Sequence, residues 1–209
     1  MAADQNSMIR QICGALLMFG VLSTPAAAQS VDFVYTKFDS KKCKHQRGRE
    51  VEDYGSWLCP GHEKLNVLLS AGDQRMYVSY GPWKKNNIAL SQTFPGFNNV
   101  YEGTVEWRFE RGADGKTRPF ATILRWNVML SADQEKATGP VSSTGRVLVV
   151  TRLGPDGVCH VGYVDARANP DANELARKIA DENARTFRCG KDKTIVLGKV
   201  SEPGMMPGD

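Results

Sequence analysis

A single amphipathic helix bordered by two cysteines sets tight limits on how this chain can fold. Residues 160–190 read HVGYVDARANPDANELARKIADENARTFRCG, with Cys159 just before the stretch and Cys189 near its end. Pro170 and the Asp171-x-x-Glu174 pattern are typical of a helix start. Apolar residues recur at helical spacing and form one alanine-rich stripe, which predicts close packing on a sheet: Ala172, Leu175, Ala176, Ile179, Ala180, Ala184 and Phe187.

The opposite side of this predicted helix is charged. Glu174 with Lys178 and Asp181 with Arg185 have the i, i+4 spacing at which opposite charges attract along a helix. We therefore expect this face to lie in solvent, and we interpret the helix as a structural cover for a sheet.

The rest of the chain has the residue pattern of β-strands. Alternation is clearest at residues 105–110, where Glu106, Arg108 and Glu110 should point to solvent and their neighbours to the core. The predicted fold class is α+β: a mainly antiparallel β-sheet with one C-terminal α-helix packed on it, braced by disulfides. We expect strands at residues 31–38, 65–70, 75–80, 105–110, 119–126, 146–153, 158–165 and 194–200. Residues 71–74 should join the second and third of these as a hairpin, and 119–126, which is apolar on both faces for much of its length, should be a central strand.

The N-terminus resembles a secretory signal peptide. Arg10 precedes an apolar run over residues 12–22, and Ala26, Ala27 and Ala28 offer a cleavage site before Gln29. The run is shorter than the roughly 20 residues that span a bilayer. The sequence thus predicts a signal peptide at 1–28, one globular domain at 29–201, a disordered tail at 202–209, and a periplasmic or secreted location. The alternative is a buried N-terminal helix or a retained anchor.

Four cysteines remain after this cleavage, and four cysteines permit three pairings. An even number in an exported chain predicts two disulfides. We favour the local pairings, which join Cys43 to Cys59 and Cys159 to Cys189. The alternative is a zinc site, because four possible ligands fall close together: Cys43, His45, Cys59 and His62.

The formal net charge is +4 at pH 7, with one basic cluster at residues 41–49. Such a cluster could contact an anionic surface or nucleic acid. We interpret it as a solvated loop and expect no nucleic-acid partner, because an exported protein meets little nucleic acid.

No catalytic motif occurs in the sequence. It contains no G-x-S-x-G, H-E-x-x-H, C-x-x-C, P-loop or G-x-G-x-x-G pattern. Asp165 and the acids Glu102, Glu106 and Glu110 are the weak candidates for acid–base chemistry, and His160 reads as a packed strand residue. We therefore predict no catalytic, cofactor-binding or metal-binding residues.

The tryptophans are the other residues that could form a binding surface. Trp107 and Trp126 fall on predicted strands and should belong to the core, whereas Trp57 and Trp83 fall in stretches that read as loops. Exposed loop aromatics can bind sugars or proteins. They can also hold a loop against the core.

Three stretches carry a resemblance to known sequences. Residues 57–61 (WLCPG), 119–126 (PFATILRW) and 163–173 (YVDARANPDAN) are similar to a group of uncharacterised exported proteins of Gram-negative bacteria. The resemblance implies an exported location. It implies no known activity and assigns no functional residue.

Two functions are consistent with these observations. The first is a non-enzymatic envelope protein that binds another protein or a glycan. The alternative is a hydrolase of unfamiliar type that uses acidic residues or a Cys/His metal site. An enzyme should show a cleft with convergent acids or a metal, and a binding module should show an exposed aromatic or charged patch.

Overall fold

A computed structural model describes residues 31–47, 54–82, 87–101, 103–129, 145–202 and 204–207. The predicted signal peptide, Trp83, Glu102 and residues 130–144 lie outside these residues. The described part contains one α-helix, α1 (Ala172–Asn183), and the following strands: β1 (Val31–Lys37), β2 (Lys44–Arg47), β3 (Gly55–Pro60), β4 (Asn66–Gly72), β5 (Arg75–Tyr80), β6 (Asn98–Asn99), β7 (Thr104–Arg111), β8 (Thr117–Val128), β9 (Gly145–Arg152), β10 (Cys159–Asp165) and β11 (Ile195–Val196).

A large sheet of seven described strands forms the centre of the molecule. Its order is β1-β7-β8-β9-β10-β11, and β6 pairs with β8 beside this path. The pairs are antiparallel except β10 with β11, which is parallel. The predicted strand 119–126 is confirmed as central, because β8 lies between β7 and β9 and is apolar on both faces along most of its length.

A smaller sheet of four antiparallel strands has the order β2-β3-β4-β5. The hairpin predicted between β4 and β5 is confirmed, with Asp73 and Gln74 as its two turn residues. Their φ angles of 51° and 57° match a turn with left-handed conformation at both central positions, which follows the natural twist of paired strands.

The two faces of the large sheet bury two separate cores. Alternate residues of β9 divide between them, since Val147 and Val149 face the small sheet whereas Leu148 and Val150 face α1. The predicted core tryptophans are confirmed, because Trp107 is 0% and Trp126 is 1% exposed, both on the small-sheet side. The molecule thus has three layers: small sheet, large sheet and helix.

The alanine-rich stripe of α1 packs on β8, β9 and β10, as predicted. Ala176 and Ala180 are fully buried, which brings the helix backbone close to the sheet. The helix is shorter than its apolar stripe, because it ends at Asn183 while Ala184 and Phe187 stay buried beyond its end. Asp171 occupies the N-cap position without a side-chain capping bond, so the predicted capping box is wrong in this detail.

Both predicted disulfides are present. Cys43 is bonded to Cys59 within the small sheet, and Cys159 of β10 is bonded to Cys189 after α1. The predicted fold class is therefore confirmed: a mainly antiparallel β-structure with one C-terminal helix packed on the sheet and two disulfides. In the segment predicted to be a disordered tail, Met205 is 4% exposed and belongs to the core on the small-sheet side. No helix in the described part of the chain is long and apolar enough to cross a membrane.

Candidate functional site

Six charged side chains form a row of ion pairs between β7 and the segment 177–185, which includes the last part of α1 and the turn after it. Residues two apart on a strand lie about 6.6 Å apart, and residues four apart on a helix about 6 Å apart along the axis. These spacings match, so each strand residue meets one helix residue of opposite charge. The pairs of this interlayer ion row are Glu106 with Arg177, Arg108 with Asp181, and Glu110 with Arg185.

The centre of the ion row is buried. Arg108 is 5% and Glu106 is 6% exposed, and the two form an ion pair with each other. Arg108 also donates two hydrogen bonds to Asp181. The expectation that Glu106, Arg108 and Glu110 point to solvent is therefore wrong: the charged side of α1 covers them.

Asp181 and Arg185 form their ion pairs with the sheet, whereas the prediction paired them with each other. Arg185 donates to Glu110 at 2.6 Å, and to the backbone carbonyl of Asp181 at 2.7 Å. Its guanidinium lies 3.7 Å from the ring centroid of Phe120. Part of the helix side that we expected in solvent is thus an interface within the molecule.

Arg177 and Tyr35 close one end of the ion row. Arg177 donates to the Tyr35 hydroxyl at 2.8 Å and to Glu106 from Nε at 3.1 Å, and the Tyr35 hydroxyl is 3.1 Å from Glu106. The hydrogen bonds to Glu106 raise the pKa of Arg177 above its ordinary value, so the guanidinium keeps its charge at every physiological pH.

Beyond this end lies a cavity of about 490 Å³ on the helix side of the large sheet. It exists because α1 covers Ile123 of β8 but leaves uncovered the later residues Arg125 and Asn127, which share the same face. Arg146 and Leu148 of β9 extend its floor. We call it the tyrosine–arginine pocket, after the residues that give it its character: Tyr35, Tyr101, Arg125, Arg146 and Arg177.

Positive charge predominates in the described lining of this pocket. It holds three arginines and one acid, Glu106, whose charge is already matched by Arg108 and Arg177. Arg125 and Arg146 are exposed and make no ion pair with another described residue. Within the described part of the chain, no acid neutralises these two guanidinium groups, which lie next to the exposed side chains of Tyr35 and Tyr101.

The residues proposed for a zinc site do not form one. Cys43 and Cys59 are bonded to each other, so neither sulfur is available as a thiolate ligand. The ring of His45 packs on Trp57 and the ring of His62 on Phe109. Across the described ranges, no group of three or more His, Cys, Asp or Glu residues is placed to hold a metal ion.

Asp165, a weak candidate for acid–base chemistry, has a structural role. It is 0% exposed, and it accepts hydrogen bonds from the backbone N–H groups of Arg167, Ala168 and Ser201 and from the Ser201 hydroxyl. Burial favours the neutral acid, but these hydrogen bonds outweigh it and hold the pKa of Asp165 below its ordinary value. The carboxylate therefore fixes the chain before and after α1.

A second cavity, of about 360 Å³, lies beside the Cys159–Cys189 bond and is partly lined by His160 and Tyr163. His160 is 1% exposed, and its Nδ1 lies 3.0 Å from the Tyr163 hydroxyl. Burial lowers the pKa of His160 to about 3, so the ring is neutral. The interpretation of His160 as a packed strand residue agrees with this burial.

Of the two predicted loop tryptophans, Trp57 does not line the pocket. Trp57 lies on β3 and is half-buried, and Trp83 lies outside the described residues. The pocket residues Tyr35, Arg125 and Arg146 were missed by sequence reasoning. One signal could have found Arg125, since it is the one charged residue in the predicted strand 119–126.

The chain was compared with known protein families, curated proteins and solved structures. No protein-family model, no curated protein and no solved structure matches the chain significantly. The resemblance to exported proteins of Gram-negative bacteria therefore stays a prediction.

Proposed function

We propose that this protein is an exported, non-enzymatic binding module, periplasmic or secreted, and that its tyrosine–arginine pocket takes a short stretch of an acidic glycan. The observation that carries the proposal is the pair Arg125 and Arg146, exposed and without ion pairs among the described residues, beside Tyr35 and Tyr101 in one cavity.

The chemistry of the pocket favours an anion on a sugar. Guanidinium groups match the planar fork of a carboxylate and bind sulfate or phosphate oxygens with charge-assisted hydrogen bonds. Tyrosine rings offer flat apolar surface with a polar edge, which suits a sugar ring. A volume of about 490 Å³ is in the range of small-ligand sites, and it favours a short oligosaccharide over a folded protein partner.

The exported location is supported by the disulfides and the predicted signal peptide. Disulfides form and persist in oxidising compartments such as the periplasm and the cell exterior. Two of them brace this fold, and no cysteine in the described residues is left unbonded.

The hydrolase alternative has less support. Glu106 is the acid that lines the pocket in its described part, and it is held by Arg108, Arg177 and Tyr35. Both carboxylate oxygens of Glu106 already accept hydrogen bonds from these side chains, so neither is placed to exchange a proton with a substrate. The arrangement thus positions Arg177 and does not prepare Glu106 for proton transfer.

Isothermal titration calorimetry tests the proposal. A heparin hexasaccharide is the acidic probe, and maltohexaose is the neutral probe of the same length. We expect binding of the acidic probe alone. The R125Q/R146Q variant should bind it at least about tenfold more weakly, because hydrogen bonds to charged groups are each worth about 1.5–3 kcal/mol.

A matched control removes the same number of positive charges elsewhere. Arg111 and Arg118 lie outside the pocket with side chains 58% and 51% exposed, so R111Q/R118Q should bind the hexasaccharide like the wild type. Equal losses in both double variants would show attraction by net charge alone and would overturn the proposal, as would equal binding of maltohexaose.

A further inference from the structure

The outer edge of the large sheet, as far as the structure describes it, is the strand β1. Among the described residues, β1 pairs with β7 alone, so the backbone N–H and C=O groups along its other edge have no strand partner. Edge strands are commonly protected by bulges, prolines or inward charges. The β1–β7 register runs without a shift from Val31 to Lys37, and the strand contains no proline.

Three large apolar side chains are exposed at the middle of this edge. Phe33 is 53%, Val34 is 37% and Tyr35 is 49% exposed. Phe33 and Tyr35 lie on the helix side with their ring centroids 5.5 Å apart, and Val34 lies on the other side. An exposed strand with consecutive apolar residues and free backbone groups is a template for pairing with another strand.

We propose that β1 pairs in antiparallel fashion with β1 of a second copy of this chain, about a two-fold axis through Val34. Such an axis is perpendicular to the sheet, so residues that face each other must lie on the same side of it. Val34 is the midpoint of the seven-residue strand, and this register pairs every residue of β1. Phe33 then lies opposite Tyr35 of the second copy, Tyr35 opposite its Phe33, and Val34 opposite its own equivalent.

The pattern of side chains argues for a second copy as the partner. In this register each exposed apolar residue meets another apolar residue. Asp32 meets Thr36, and Lys37 meets Val31, so no like charges face each other. If the axis passed through Tyr35 instead, Phe33 would face Lys37 of the second copy. A strand that is complementary to itself in one register favours a closed two-fold dimer, the commonest form of protein oligomer.

The proposed dimer brings two pockets together on one face. Because the axis is perpendicular to the sheet, the helices of both copies lie on the same side. Tyr35 lines the tyrosine–arginine pocket and also lies next to the axis. The inference does not depend on the proposed function, since β1 would pair in this way whatever the pocket binds.

Sedimentation and light scattering on the oxidised full-length mature protein test the dimer. From micromolar to near-millimolar concentration, we expect the mass to rise to twice that of one chain. V34K places two lysines opposite each other at the axis and should weaken dimerisation about tenfold or more. The matched control is V196K, because Val196 is 43% exposed on β11, at the other edge of the same sheet.

A cysteine variant tests the register directly. Facing residues of antiparallel strands have Cβ atoms about 4.5–5.5 Å apart, so V34C should form a disulfide between two copies on oxidation and F33C should not. A wild-type protein that stays monomeric would overturn the proposal. A dimer that persists in V34K and is lost in V196K, or one cross-linked by F33C in preference to V34C, would equally overturn it.

Discussion

Arg108 of β7 binds Asp181 of α1 through two parallel hydrogen bonds, Nε to Oδ1 at 2.7 Å and Nη2 to Oδ2 at 2.6 Å. This pair lies in the middle of the interlayer ion row, between two pairs of opposite polarity. A shift of α1 by one turn would place Asp181 opposite Glu106 or Glu110, where like charges repel. The alternation of charge therefore fixes the position of the helix along the strand, whereas the alanine stripe sets its distance from the sheet.

Removing the Asp181 charge should destabilise the fold. Breaking a buried ion pair typically costs about 3–5 kcal/mol. We expect about 2–3 kcal/mol for D181N, because Arg108 keeps Glu106 as a partner and Asp181 is one-third exposed. Urea unfolding at pH 7 measures this loss.

The control for this prediction is E182Q on the exposed side of α1, which should change stability by less than about 0.5 kcal/mol. R108M/D181L should recover part of the loss, because apolar residues need no partner for a buried charge. If D181N unfolds at the same urea concentration as E182Q, the ion row does not hold the helix.

His160 should make the stability fall as the pH is lowered from neutral. Burial lowers its pKa in the folded protein from 6.5 to about 3. Between these values the unfolded chain binds a proton that the folded protein does not. The contribution is therefore complete above pH 6.5 and is lost toward pH 3, by about 1.4 kcal/mol for each pH unit.

Urea unfolding between pH 7 and pH 5 checks this dependence, above the range in which most carboxylates titrate. H160F should remove that part of the slope, because phenylalanine fits the aromatic contacts with Trp126 and Tyr163 and carries no proton. Equal slopes in H160F and the wild type would contradict the buried neutral state of His160.

Removal of the Cys159–Cys189 disulfide should lower the free energy of unfolding more than removal of the Cys43–Cys59 disulfide. The residues of the Cys159–Cys189 bond are 30 apart in sequence and those of the Cys43–Cys59 bond are 16 apart. Loop-closure entropy then gives about 3.5 kcal/mol for the first bond and about 3 kcal/mol for the second. Urea unfolding of C159A/C189A and C43A/C59A measures the order, and the reverse order would show that loop length does not decide it.

Gly162 should be required for the parallel pairing of β10 with β11. A Cβ atom at this position would overlap the backbone carbonyl oxygen of Ile195 and contact Ile179. We expect G162A to cost about 1–3 kcal/mol. It should also speed hydrogen exchange of the Leu197 N–H, which donates to the carbonyl of Tyr163.

The matched control for this glycine is G72A, where the added carbon would meet the exposed and movable ring of Tyr54. That variant should exchange at Leu197 like the wild type. Unchanged exchange at Leu197 in G162A would show that β11 is held by other contacts.

Much of the fold could be predicted from patterns among residues that are close together in the sequence. The apolar stripe of α1, the Asp73-Gln74 turn and the central strand β8 depend on residues close together in the chain. The disulfide pairing also followed from short spacings. These features were predicted because the residues that determine them are neighbours.

The predicted solvent exposure of the charged side chains of β7 was wrong for a physical reason. Alternation of apolar residues with Glu106, Arg108 and Glu110 is the same whether the polar face meets water or a charged helix. Only the joint pattern of three strand charges two apart and three opposite helix charges four apart distinguishes these cases. In the sequence the two halves of this pattern lie about 70 residues apart.

The division into two sheets and the position of the pocket depend on contacts between residues that are far apart in the sequence. Whether Arg125 is covered is decided by where α1 begins over β8, and no residue near Arg125 in the sequence fixes that point. The same holds for Tyr35, whose role comes from pairing with β7 and from contact with Arg177.

Opposite charges that pair between two packed layers should change together during evolution, because reversing one charge alone leaves two like charges in contact. In chains that share ancestry with this one, the residues at positions 106, 108 and 110 should change sign only when those at 177, 181 and 185 change sign with them. A relative with a basic residue at position 181 should carry an acid at 108. Such paired reversals would identify this helix-on-sheet arrangement from aligned sequences alone, even where the apolar residues have drifted beyond recognition.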